Sequence, residues 1–75
     1  MTDDDLKFLK SKMDKEPVKI YFTDGEEAIV KITFISDTEK DITCGVISSN
    51  REKPVYKKGH ILVRFEDIKN VSEAA

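Results

Sequence analysis

The sequence predicts a mainly β fold: an N-terminal helix, then five antiparallel strands curled into a small, strongly bent barrel. Three observations carry that expectation. Apolar side chains alternate on both sides of Asp24-Gly25, a dipeptide that supplies the two positive-φ positions of a tight hairpin turn. The arm after this turn is long and partly apolar on both faces, so it has to bend for its two ends to serve different layers. Further period-two segments follow, separated by polar reversals.

Composition limits what such a fold can be. Seventy-five residues are enough for one domain. A chain this short buries only about 60% of its unfolded surface, which makes a second copy a natural source of added burial. The hydrophobic share of 39% and charged share of 37% suit a soluble chain. A net charge of −2 argues against holding nucleic acid by bulk charge. Cys44 is the single cysteine, which excludes an internal disulfide and fits a reducing compartment. No apolar run approaches a membrane span, and Met1 to Asp5 is acidic where a secretory signal would be basic. The expectation is a cytoplasmic protein with no membrane association.

In chain order, Thr2 followed by Asp3, Asp4 and Asp5 reads as a capped helix start, with carboxylates at the positive end of the helix dipole. The helix is predicted over 3–15, with Leu6, Leu9 and Met13 on one face, and Pro17 ends it. These aspartates read as a charged first turn, not a metal site. The first strand, 18–23, places Val18, Ile20 and Phe22 on one face. The second, 26–36, places Ala28, Val30, Ile32 and Phe34 together. Ser36 to Lys40 is a polar reversal. The third strand, 41–48, turns Ile42, Cys44 and Val46 inward, with Gly45 marking a bulge or close backbone approach. Cys44 reads as a small buried hydrophobe, because a catalytic thiol needs an activating base and His60 is the sole histidine. Ser49 to Gly59 is the most basic stretch, and it reads as a solvated connection. The fourth strand, 60–66, turns Ile61, Val63 and Phe65 inward, and the fifth is predicted over 68–71. No phosphate loop, carboxylate pair, nucleophile triad or metal-ligand spacing appears, so an enzyme is disfavoured and neither cofactor nor metal is expected.

This layout resembles the Sm-like (LSm) family, whose members carry an N-terminal helix on a five-stranded, strongly bent SH3-like barrel. The resemblance covers nearly all of the chain. Its first half runs through Asp24-Gly25, the second strand, Ile35-Ser36-Asp37 and Asp41-Ile42-Thr43. That run is similar to the family's first motif, an aspartate followed four residues later by an asparagine. The second half, Gly59 to Phe65 with Ile68 and Val71, is similar to the family's glycine, hydrophobic strand, Arg-Gly pair and final strand.

The resemblance implies a ring of identical subunits joined by pairing the fourth strand of one copy with the fifth of the next. Ile61, Val63, Phe65, Ile68 and Val71 are the interface residues it implies. It also implies an RNA site at Asp37, Glu39, Asp41 and Arg64, to which the basic Lys57 and Lys58 add a candidate contact. That site departs from the family. Glu39 falls where an aromatic or histidine would stack on a base, Asp41 replaces the asparagine, and Phe65 stands in place of the glycine. A carboxylate offers no stacking surface, and base stacking is worth about 1–3 kcal/mol. The functional expectation is therefore a ring-forming binding or scaffolding module, with RNA as a candidate ligand. The alternative is a monomeric SH3-like barrel that recognises a protein partner, although two tyrosines and no tryptophan supply a peptide groove poorly.

Overall fold

The computed structural model describes residues 1–50 and 60–74. Helix α1 (Asp3–Lys12) precedes β1 (Val18–Phe22), β2 (Glu27–Ser36), β3 (Asp41–Ser49), β4 (His60–Arg64), a single 3-10 turn (Phe65–Asp67) and β5 (Ile68–Glu73). The strands form one antiparallel sheet in the order β4-β3-β2-β1-β5. β4 and β5 are therefore its two edges, and among the described residues the sheet does not close on itself.

Helix α1 starts on a capping box. The Thr2 hydroxyl accepts the Asp5 N–H at 3.1 Å, and the Asp5 carboxylate accepts the Thr2 N–H at 3.2 Å. The helix ends at Lys12, earlier than the sequence predicts, because Asp14 adopts a left-handed conformation (φ 59°). The Asp14 N–H reaches the Ile32 carbonyl at 2.9 Å. β2 outruns β1, whose first residue Val18 pairs with Val30, so this bond satisfies the β1-facing side of β2 beyond that pair. Leu9 is fully buried, with Phe8 and Met13 packed beside it. Lys10 reaches Asp37 at 2.8 Å and Lys12 reaches Glu73 at 3.7 Å, tying the helix to the ends of β2 and β5.

The first hairpin differs in detail from the expected two-residue turn. Only Gly25 has a positive φ, 96°. Phe22 donates its N–H to the Glu26 carbonyl at 2.8 Å, and the Gly25 N–H returns to the Phe22 carbonyl at 3.1 Å. The loop is thus Thr23, Asp24 and Gly25, the three-residue form in which one left-handed residue ends the turn. Asp24 holds it by accepting the Glu26 N–H at 3.0 Å.

β2 changes its inward face partway along. Ala28, Val30 and Ile32 are buried, but Phe34 is 60% exposed. A bulge explains the correction: Ile32 pairs with Cys44 and Phe34 with Thr43, leaving Thr33 as an extra residue. Beyond it Ile35, not Phe34, packs toward the core opposite Ile42. A second irregularity leaves Ile47, between Val46 and Ser48, without a partner on β2 and 59% exposed. The core is Leu9, Val18, Ile20, Phe22, Ala28, Val30, Ile32, Ile42, Cys44, Val63 and Ile68. Phe65 leaves the fourth strand for the 3-10 turn and packs against this core from its rim.

Candidate functional site

The sheet register assembles the candidate RNA residues. Asp41, at the start of β3, stands opposite Arg64, at the end of β4. Lys40 closes the preceding turn in a left-handed conformation (φ 55°), and its carbonyl accepts the Phe65 N–H at 2.9 Å. That bond fixes the β2–β3 turn against the end of β4. Glu39, Lys40, Asp41, Leu62, Arg64, Phe65 and Glu66 then line an open groove of about 480 Å³.

Glu39, Asp41 and Arg64 therefore converge, while Asp37 does not join them. It lines an adjoining depression that also contains Met1, Leu6, Lys40 and Phe65, and Lys10 holds its carboxylate. Lys57 and Lys58 lie outside the described residues. The sequence reading missed Lys40, Glu66 and Leu62. Lys40 and Glu66 sit in polar turns where one charged residue looks like another, and Leu62 alternates with the inward Ile61 and Val63, a position that carries no functional signal.

Electrostatically the groove is mixed, with Glu39, Asp41 and Glu66 against Lys40 and Arg64. Arg64 reaches Glu66 at 3.5 Å, and both side chains are exposed, so solvent screens the pair. The interface candidates separate into two groups. Val63 and Ile68 are buried in the chain's own core, whereas Ile61, Phe65 and Val71 cover its rim and remain partly exposed. On β4 and β5, then, the backbone edge rather than those buried side chains is what faces outward.

Elsewhere, chemistry-bearing groups have structural settings. Burial pushes the Cys44 thiol up to about 12, far from a reactive thiolate. His60 is exposed at the start of β4 opposite Gly45. Among the described residues, no group of three or more histidine, cysteine or acidic side chains is arranged to hold a metal ion. Nor, among the described residues, is any helix long and apolar enough to cross a membrane. A second cleft, of about 220 Å³, lies between the first hairpin loop, β4 and Asp67. Beside it Glu26 is only 5% exposed and accepts a hydrogen bond from the Ser49 hydroxyl. Sequence offered no signal for that burial, because Glu26 follows a turn glycine where a solvated carboxylate is ordinary.

These features define a small, mainly β protein with one N-terminal helix on an open five-stranded antiparallel sheet. No family model matches the chain, and a search of curated proteins found none similar to it.

Proposed function

We propose that this chain is an Sm-like scaffold whose copies join edge to edge into a ring, β4 of one copy pairing with β5 of the next. The observation that carries this reading is the strand order, which leaves β4 and β5 as two antiparallel edges without a strand partner among the described residues. Such edges present rows of backbone donors and acceptors that a second copy can satisfy. Their protective charge is thin, consisting of Arg64 at the end of β4 and Lys69 and Glu73 near the two ends of β5. Curvature supports the same reading. The bulge at Thr33 bends β2, and the cleft lined by Phe22, Val63 and Asp67 brings residues of β4 close to the turn that leads into β5. A partly curled barrel with a gap between its edges is the geometry that a neighbour's edge completes.

The groove at Glu39, Asp41 and Arg64 weighs toward scaffolding over RNA binding. It has more carboxylates than cations and no stacking partner in the position that Glu39 fills. Light scattering across micromolar concentrations tests the assembly, with a discrete oligomer expected. A strictly monomeric protein would sink the ring. Titration with labelled oligouridine and oligoadenine at low salt separates the two ligand readings. Binding that weakens with salt would make the ring an RNA binder, and its absence leaves the scaffold. A monomer that captures a stoichiometric protein partner would favour the SH3-like alternative.

A further inference from the structure

We draw no further inference here: the strongest candidate, the pair of adjoining grooves around the β2–β3 turn that Glu39, Asp41 and Glu66 line together with Lys40 and Arg64, belongs to the site already described, and nothing in the structure shows what covers it.

Discussion

Ile32 and Phe34 are two positions apart on one strand, yet one is fully buried and the other faces solvent. The extra residue Thr33 separates their environments, so similar truncations should have very different consequences. Ile32→Ala removes core volume and is expected to cost about 2–5 kcal/mol. Phe34→Ala should cost well under about 1 kcal/mol, as exposed substitutions away from special backbone do. Urea unfolding of the two variants measures the contrast, and equal losses would place Phe34 in the core after all. Cys44 gives a pH signature at the same scale. Its thiol is raised from an ordinary value of 9.0 to about 12 by burial, so the folded state keeps a proton that the unfolded state releases first. Its contribution to stability is therefore fully present below pH 9 and is lost as pH rises toward 12. Cys44→Val should flatten the alkaline fall in stability relative to the parent chain, and identical alkaline slopes would contradict the assignment.

At the scale of elements, the start of α1 and the first hairpin rest on single residues. Thr2→Ala removes half of the capping box and should lower stability by about 1 kcal/mol, read from the urea midpoint. Gly25→Ala forces a side chain into a left-handed position and should cost about 1–2 kcal/mol, even though the space beside it is open. These features were legible from sequence because they are local. A threonine before three aspartates and an Asp-Gly between alternating apolar runs carry their own geometry, as does the Val18, Ile20, Phe22 alternation of β1. What was not legible depends on residues far apart. The bulges at Thr33 and Ile47 arise from how β2 and β3 must register over their full length, and no residue type at either position announces them. The early end of α1 is set by the Ile32 carbonyl, which captures Asp14 from another element. In the candidate groove, Asp41 and Arg64 could be named from sequence, but the pairing of Asp37 with Lys10, which draws it aside, could not.

For the molecule as a whole, the open sheet makes the backbone itself the most informative reporter. β2 and β3 are paired on both sides, and β1 lies between β2 and β5, so their amides should exchange with solvent only through large-scale opening. β4 and β5 each have one paired side and one side without a strand partner among the described residues. In a dilute monomer, the outward amides of these two strands should exchange orders of magnitude faster than those of β2. If copies join through their edges, raising the protein concentration should protect β4 and β5 together, because each junction consumes one edge of each kind. Hydrogen exchange followed by mass spectrometry over a hundredfold concentration range tests edge assembly. Concentration-independent exchange in β4 and β5 would reject edge assembly. Protection confined to one of them would also reject a closed ring, since every junction in a ring pairs a β4 with a β5.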